Sequence, residues 1–316
     1  MNWKKCGKIF CANNDKGWMK SRAYLPTPFL INSEVIRIYF TALDEKNMGR
    51  VGYVDVEAHN PSKIVRVSQD PVLDIGNVGS FDDSGVNASC IIRHNNELIM
   101  YYQGWQHLNR VPYNVLSNAA ISYDNGDSFQ RYKSTPMLER KENEMNIRSA
   151  PFVLFDNSLW KLWYANGFFI NGEDNKSLYY GISHISSYSP LEFISASVKC
   201  LFPNHKADTF GYTRPWIIIR NNLYLIWFSE RSYSKKYRIN FATSLDGITW
   251  QRKSDPIHPD ISPEKWDSDM IAFPAVIETN YGVYMFYNGN HYGLTGFGFA
   301  KLEGSIDELT NLGSIE

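Results

Sequence analysis

The sequence predicts an all-β fold, a five-bladed β-propeller of four-stranded antiparallel blades. The first observation behind this prediction is a repeat, because five short apolar segments each end in a pair of aromatic residues. The second is their spacing, since the first members of the pairs are separated by 62, 62, 64 and 59 residues. The third is the near absence of helical periodicity outside the short segment Ile306–Leu312. Regular repeats of several strands are typical of propeller blades. The aromatic pairs are Tyr39-Phe40, Tyr101-Tyr102, Trp163-Tyr164, Trp227-Phe228 and Phe286-Tyr287.

Each aromatic pair ends the second strand of a predicted hairpin. In the first repeat, the polar turn Asn32-Ser33-Glu34 separates an earlier apolar run from Val35–Ile38, and similar turns fill this position in the later repeats. Such turns between β-branched and aromatic runs indicate hairpins. The predicted first strands are Pro28–Ile31, Cys90–Ile92, Pro151–Phe155, Pro215–Ile219 and Pro274–Ile277.

A third strand is expected after each pair, and weaker fourth strands follow, for example at Ile64–Val67 and Phe129–Tyr132. The fifth repeat ends soon after its third strand, whereas Lys8–Cys11 forms an unassigned strand near the N-terminus. We therefore expect the N-terminal strand to close the ring as the outer strand of the fifth blade. Residues 1–316 are expected to form one domain, since single blades cannot bury their faces alone. The predicted third strands are Val51–Val56, Asn118–Tyr123, Leu178–Ser183, Tyr237–Thr243 and Gly296–Lys301.

Two segments share a turn in which serine, aspartate, glycine and an aromatic residue recur in order: Ser122–Phe129 and Ser244–Trp250. In such a turn the aspartate accepts backbone N–H bonds and the glycine adopts a positive φ. We expect both segments to be structural hairpin turns with no catalytic role.

Composition narrows the class of protein. Lys+Arg 32 against Asp+Glu 33 gives a net charge of −1, which argues against a nucleic-acid-binding protein. No apolar run is long enough to cross a membrane, and the N-terminal residues do not resemble a signal peptide. We therefore expect a cytoplasmic protein with no membrane partner. The four cysteines lack zinc-site spacing, and we expect free thiols without a metal or other cofactor.

Propeller geometry predicts which side chains meet at one face. The segments before each first strand and the loops after each aromatic pair should lie at the same end of the central channel, which we call the mouth. We therefore expect this mouth to contain Arg22, Asp82, Asp83, Trp105, His107, Arg148, Asn166, Arg214, Glu230, Arg231, Asp267, Asp269, Asn288, Asn290 and His291.

A mouth that combines carboxylates, amides, arginines and an aromatic ring suits a carbohydrate. Hydrolysis of a glycosidic bond requires two carboxyl groups across the anomeric carbon. The candidate catalytic carboxyls are Glu230, as proton donor, and Asp83 or Asp269, which would activate water or support charge. The other mouth residues are candidate substrate-binding residues. The alternative is that aspartates and arginines of neighbouring blades only pair as structural bridges, since buried charges need partners.

Three arginines near strand entries, Arg22, Arg148 and Arg214, favour an anionic ligand. The guanidinium fork binds carboxylate or phosphate through two hydrogen bonds. The expected partner is therefore a small sugar, either acidic or linked to a nucleotide.

The five repeats, the turn at Ser244–Trp250 and the carboxylate-rich mouth resemble the five-bladed glycoside hydrolase superfamily, which includes families 32, 43, 68 and 130. The segments Phe81–Val86, Trp266–Asp269 and Phe286–Asn290 look like a subgroup of hydrolase-like propellers. The resemblance implies glycoside hydrolase or glycosyl-transfer activity and a role in bacterial surface-polysaccharide pathways.

The chain departs from the catalytic pattern that this resemblance implies. The first blade of family 43-like enzymes begins with a carboxylate, whereas the corresponding segment here is Arg22–Pro26, and the third entry reads Asn146–Ala150 with only Glu144 upstream. Only Asp82 and Asp83 match by position. Two predictions follow: a glycoside hydrolase, or a carbohydrate-binding propeller that has lost its first-blade carboxylate.

Overall fold

The computed structural model describes residues 2–12, 17–170, 177–204, 208–253, 259 and 265–313. The fold is nearly all β, as expected, and strands β1 to β20 form five successive antiparallel units. Unit 1 contains β2 (Ser21–Asn32), β3 (Val35–Leu43), β4 (Gly49–Glu57) and β5 (Ile64–Val67). Unit 2 contains β6 (Gly85–His94), β7 (Glu97–His107), β8 (Tyr113–Ser122) and β9 (Gln130–Arg131).

The later units repeat this order of strands. Unit 3 contains β10 (Ile147–Asp156), β11 (Leu159–Ile170), β12 (Ser177–Ser187) and β13 (Val198–Leu201). Unit 4 contains β14 (Thr209–Arg220), β15 (Leu223–Ser232), β16 (Arg238–Ser244) and β17 (Gln251–Arg252). Unit 5 contains β18 (Ala272–Thr279), β19 (Gly282–Asn288), β20 (Phe297–Glu303) and the N-terminal strand β1 (Asn2–Phe10).

The N-terminal strand pairs antiparallel with β20, from Asn2 opposite Glu303 to Phe10 opposite Phe297. It begins well before the predicted Lys8–Cys11. Its Trp3 side chain is buried and meets the Trp227 ring edge-on. Non-neighbouring parts of the chain thus share one sheet and part of the core.

The five first strands lie side by side. β2, β6, β10, β14 and β18 contact one another in sequence, and β18 also contacts β2. Short parallel bridges link units 1 to 4 in order, for example between Gly49 and Gly85, whereas the strands of unit 5 form a separate sheet. The ends of the first strands from all five units are therefore brought together.

Aromatic pairs fill the core between the sheets. All ten side chains of the five pairs are fully buried. Phe129, which ends the first aspartate turn, packs edge-on against Tyr39 of unit 1 at a ring-centroid distance of 5.6 Å. Burying a large aromatic side chain is worth about 1.5–3 kcal/mol, so this repeat contributes strongly to stability. The aromatic pairs are therefore mainly a packing feature.

The two aspartate turns adopt the expected structural role. Asp124 accepts the Ser128 N–H at 2.9 Å, and Asp246 accepts the N–H groups of Ile248 and Thr249 at 2.8 and 2.7 Å. These hydrogen bonds outweigh partial burial and lower the pKa of Asp246 to about 2. The glycine in each turn has a positive φ, as predicted.

Helices are short in the described residues. The predicted segment at the C-terminal end forms a 3₁₀ helix over Ile306–Gly313, a second 3₁₀ helix covers Gly17–Met19, and a single turn, α1, covers Asn290–Gly293. Within the described part of the chain, no helix has the length and apolar character needed to cross a membrane.

Candidate functional site

A cavity of about 440 Å³ lies where the first strands of the units begin. Its wall contains residues from all five units, including Tyr24, Gln103, Ile147, Thr213 and Phe273. This size is within the range of pockets that take small molecules. The cavity is the candidate site.

The floor of the cavity is made of β-bulges in the first strands. Leu25, Ala150, Arg214 and Phe273 each sit at a bulge, precede a proline and have a φ between 49° and 58°. A positive φ is unfavourable for residues other than glycine, and the α region is disfavoured before proline. Such strained backbone persists only where its surroundings hold it.

Side chains from the preceding unit hold three of these four bulges in place. Asn288 accepts the Leu25 N–H at 2.7 Å, and Gln103 accepts the Ala150 N–H at 2.8 Å. Ser229 accepts the Phe273 N–H at 2.7 Å. Each of these residues follows an aromatic pair, so the polar residue after the pair satisfies a buried N–H of the next unit. Asn288, predicted to bind substrate, has this structural role and does not line the cavity.

Arg214 is the floor residue that unit 4 contributes, and it is fully buried. Its guanidinium donates to the Ser89 carbonyl at 2.6 Å, the Pro26 carbonyl at 3.1 Å and the Thr27 hydroxyl at 2.8 Å. These acceptors belong to units 1 and 2, whereas Arg214 belongs to unit 4. Its Nε has no hydrogen-bond partner among the described residues. Burial lowers the pKa of Arg214 to about 9, which leaves the side chain cationic at neutral pH.

Two further arginines line the wall. Arg22 donates to the backbone carbonyls of His291 and Tyr292. Arg231 lies over the rings of Phe210 and Tyr237, at 5.0 and 5.6 Å from their centroids.

Arg22, Arg214 and Arg231 share one property. Within the described ranges, none of the three forms an ion pair with a carboxylate, and no aspartate or glutamate lines the cavity. The cavity wall is therefore strongly cationic.

Aromatic side chains cover much of the remaining wall. Trp105 and Tyr113 meet edge-on with their ring centroids 4.9 Å apart, and both line the cavity together with His107. Tyr237 and Tyr292 form a second edge-on pair at 5.9 Å. Of the fifteen predicted mouth residues, the cavity wall includes Arg22, Trp105, His107, Arg214 and Arg231.

Two predicted carboxylates are bound by the aromatic pairs instead of facing the cavity. The Tyr102 hydroxyl donates to Asp82 at 3.0 Å, and the Tyr287 hydroxyl donates to Asp267 at 3.0 Å. Cations complete the arrangement, with Arg131 2.8 Å from Asp82 and Lys5 2.5 Å from Asp267. Both carboxylates are only 1% exposed, so they act as internal bridges between strands.

The third unit repeats this arrangement with Glu144. The Tyr164 hydroxyl donates to Glu144 at 2.7 Å, and Arg148 lies 2.6 Å from the same carboxylate. Asn166 also donates to Glu144, at 3.0 Å. Arg148 and Asn166, predicted to bind substrate, are thus held in a buried network and do not line the cavity. In all three units the carboxylate precedes its tyrosine by 20 residues.

The three predicted catalytic carboxylates also lie outside the cavity wall. Asp83 accepts the Gly79 N–H at 2.9 Å and the Ser84 hydroxyl at 2.8 Å. Glu230 is bound by Arg252 at 2.7 Å, and Asp269 by Lys236. Because none of the three carboxylates lines the cavity, no two of them face each other across it.

Two predicted substrate-binding residues, Asn290 and His291, lie in the loop after the fifth aromatic pair, and their contacts are structural. The Asn290 side chain accepts the N–H groups of Asp269 and Met270 at 2.8 and 2.9 Å. The contact of His291 with Arg22 is through its backbone carbonyl. Of this loop, Tyr292 lines the cavity.

The cavity also contains residues that sequence reasoning missed. Tyr180 and Tyr237 line it, and their hydroxyl oxygens are 2.5 Å apart. Tyr113 at the start of β8 completes this group. All three lie at or near the start of a third strand, which reaches the same face as the loop after the aromatic pair. An aromatic residue at that position in units 2, 3 and 4 is the signal that would have found them.

Metal ligation has no clear candidate in the described residues, because no group of three His, Cys, Asp or Glu side chains is arranged to hold an ion. All four cysteines have free thiols, and Cys90 is buried.

Comparison with solved structures supports the fold. A thermostable family 43 glycoside hydrolase superposes with a TM-score of 0.71 at 15% identity, covering 97% of this chain and 94% of that one. A structure from the GH130 family of mannoside phosphorylases gives a TM-score of 0.68 at 12% identity, with 95% and 93% covered. The resemblance to the glycoside hydrolase propeller superfamily is confirmed at the level of the fold.

Sequence comparison identifies a closer relationship. No family model matches the chain. The chain is 33% identical over 303 residues to "Uncharacterized protein Rv1502" from Mycobacterium tuberculosis, covering 96% of this chain and 100% of the relative. The chain therefore belongs to the same family as this mycobacterial protein.

Proposed function

We propose that the five units are the five blades of one β-propeller domain over residues 1–316, with the cavity at its centre. The sequential contacts of the first strands, including that of β18 with β2, support this architecture. The hydrogen bond from the Leu25 N–H to Asn288 joins unit 5 to unit 1 in the same way that unit 2 is joined to unit 3 and unit 4 to unit 5. The pairing of β1 with β20 supports a role for the N-terminal strand as the outer strand of the fifth blade.

Deletion of residues 1–12 is expected to lower the melting temperature by roughly 10 °C or more. The deletion exposes one edge of β20, removes the buried Trp3 ring and leaves the buried Asp267 carboxylate without Lys5. Calorimetry measures the change, and Lys4→Ala on the exposed side of β1 is the matched control. An unchanged melting temperature in the deletion variant would contradict closure by β1.

The function that this geometry supports best is binding of an acidic carbohydrate in the central cavity. The observation that carries it is the presence of Arg22, Arg214 and Arg231 in a wall to which the described residues contribute no carboxylate. Cationic side chains without acidic partners create a positive potential that favours an anionic ligand. The guanidinium group is also the best match for carboxylate or phosphate oxygens.

A sugar ring suits the rest of the wall. Trp105 and Tyr113 present apolar ring surface, while Ser149 and Thr213 add polar residues to the wall. A mainly apolar pocket with a few polar groups is typical of small-molecule sites. The fold shared with glycoside hydrolases adds an analogy toward carbohydrate. Location in the cytoplasm and a role in surface-polysaccharide synthesis stay predictions from the sequence.

Binding to a panel of sugars tests the proposal. Glucuronate and glucose 1-phosphate are expected to bind and to raise the melting temperature, whereas neutral glucose at the same concentration is not, because it offers no charge to the arginines. Trp105→Ala is expected to weaken binding of the acidic sugars about tenfold, from loss of ring contact. Calorimetric titration measures both effects. Equal affinity for glucose and its acidic relatives would overturn the proposal.

Hydrolysis by a carboxyl pair is the second candidate, favoured by the fold and by one contact. Ser84 lines the cavity, and its hydroxyl donates a hydrogen bond to Asp83. Of the three predicted catalytic carboxylates, Asp83 is therefore the one connected to the cavity wall. A single carboxylate does not meet the two-carboxyl requirement. The same panel, extended to aryl glycosides and nucleotide-sugars, therefore includes Asp83→Asn and Glu230→Gln. If the wild-type protein turns over one of these compounds and either substitution abolishes the turnover, the hydrolase is favoured.

A further inference from the structure

We propose that the acidic group recognised by this cavity is a phosphoryl group, bound between Arg231 and the hydroxyls of Tyr113, Tyr180, Tyr237 and Tyr292. These five residues are called the Arg231–tyrosine cluster. The inference rests on the proposed function, because it requires an acidic ligand in the same cavity. It goes further by naming the anion and the wall that holds it.

The cluster is assembled from four of the five units. Tyr113 belongs to β8 of unit 2, Tyr180 to β12 of unit 3, and Tyr292 to α1 of unit 5. Arg231 is the next-to-last residue of β15 of unit 4, and Tyr237 directly precedes β16 of the same unit. All five residues line the cavity. The cluster is therefore one side of the cavity wall and not a feature of a single loop.

The guanidinium of Arg231 is held without an acidic partner. It lies 5.0 Å from the ring centroid of Phe210 and 5.6 Å from that of Tyr237. The Tyr180 hydroxyl also lies within interaction range of this guanidinium. Among the described ion pairs, the adjacent Glu230 is taken by Arg252. Aromatic faces and a hydroxyl thus orient the cation while its charge is not neutralised.

The hydroxyls of Tyr113, Tyr180 and Tyr237 are hydrogen-bond donors at neutral pH. Burial raises the pKa of Tyr237 to about 12 and raises the pKa values of Tyr180 and Tyr113 above their usual value. The oxygens of Tyr180 and Tyr237 are 2.5 Å apart, so only one of their two hydrogens lies between them. The second hydrogen remains available to a ligand.

A wall of this kind selects an acceptor-rich ligand. Guanidinium and protonated phenols together supply donors on several sides, and the described cavity wall contains no carboxylate to accept from a ligand. A sugar hydroxyl brings its own hydrogen to such a wall, and a carboxylate offers two oxygens in one plane. A phosphoryl group offers three oxygens arranged as a pyramid, with charge-assisted bonds to each. Sugar phosphates, nucleotide-linked sugars and free phosphate share this chemistry.

Titration of the full-length protein with inorganic phosphate, glucose 1-phosphate and glucuronate tests the assignment. The double variant Tyr180→Phe/Tyr237→Phe keeps both rings and removes both hydroxyls. We expect this variant to bind inorganic phosphate and glucose 1-phosphate about tenfold or more weakly than the wild type does. Its affinity for glucuronate is expected to change by less than about twofold. Tyr281→Phe is the matched control, because this exposed tyrosine bonds Glu34 away from the cavity. Arg231→Lys keeps the charge without the fork and is expected to weaken the phosphorylated probes similarly.

Each outcome separates the two proposals. Unchanged affinity for the phosphorylated probes in both the double variant and Arg231→Lys, each with a wild-type melting curve, overturns the cluster assignment. Equal losses for glucuronate and glucose 1-phosphate overturn the preference for phosphoryl groups but leave an acidic-sugar site intact. Failure of all three probes to bind the wild-type protein overturns both. Binding of glucose 1-phosphate but not of free phosphate supports a sugar phosphate as the ligand.

Discussion

Replacing Glu144 by Gln is expected to destabilise the protein by about 3–5 kcal/mol without the loss of a catalytic group. The Glu144 carboxylate lies 2.6 Å from Arg148 and accepts hydrogen bonds from Tyr164, Asn166 and Ser197. Arg148 is only 1% exposed. Loss of the carboxylate charge therefore leaves a buried guanidinium uncompensated, which is the costly way to break an ion pair. Urea denaturation measures the change in the free energy of unfolding.

A matched control and a double variant make this prediction specific. Glu142 is exposed two residues earlier, and Glu142→Gln is expected to change stability by less than about 0.5 kcal/mol. Combining Glu144→Gln with Arg148→Met removes both charges and should recover part of the loss, since the two effects are not additive. A Glu144→Gln variant as stable as the control would show that the pair does not support the fold.

The expected loss of stability affects how the equivalent carboxylates of the other units are interpreted. Asp82 and Asp267 occupy equivalent positions, each bound by a tyrosine hydroxyl 20 residues later and by a cation. The cations Arg131 and Lys5 come from the fourth strand of their units. A concentration of acidic residues at strand entries therefore reflects a repeated internal bridge, and the charge that remains in the cavity is positive.

The fold was predictable from the sequence because its repeat is local. Each aromatic pair lies within a hairpin whose strands follow one another in the chain, so spacing and turn residues identify the units directly. The constant separation of 20 residues between carboxylate and tyrosine was also present in the sequence, in Asp82 with Tyr102 and Asp267 with Tyr287. Knowing it would have assigned these carboxylates to structural bridges.

The candidate site was less predictable because it depends on contacts between residues that are far apart in the sequence. Whether a charged residue is neutralised depends on a partner from another strand, as with Glu230 and Arg252 or Asp269 and Lys236. Arg214 reaches acceptors more than a hundred residues away, at Ser89. No local pattern reveals such a partner. The position of a strand entry indicates which face a residue reaches, but not whether its side chain points into the cavity.

Replacing Arg214 by Gln is expected to lower affinity for glucuronate and glucose 1-phosphate by roughly 100-fold. Arg214 carries a buried positive charge at the cavity floor, and its Nε has no partner among the described residues. An acidic ligand is the group that would compensate this charge, so removing it costs more than removing an exposed arginine. Titration calorimetry at two salt concentrations measures the loss and a weaker salt dependence.

A structural role for Arg214 alone predicts a different result. Its hydrogen bonds to Ser89, Pro26 and Thr27 hold units 1 and 2 against unit 4, so Arg214→Gln should also lower stability. Arg214→Lys breaks the same fork but keeps the charge, and it is expected to retain affinity within about tenfold of wild type despite a similar loss of stability. If Arg214→Lys and Arg214→Gln lose the same amount of affinity as well as similar stability, Arg214 supports the floor without attracting the ligand. Affinity that follows charge would make the buried guanidinium the electrostatic centre of the site.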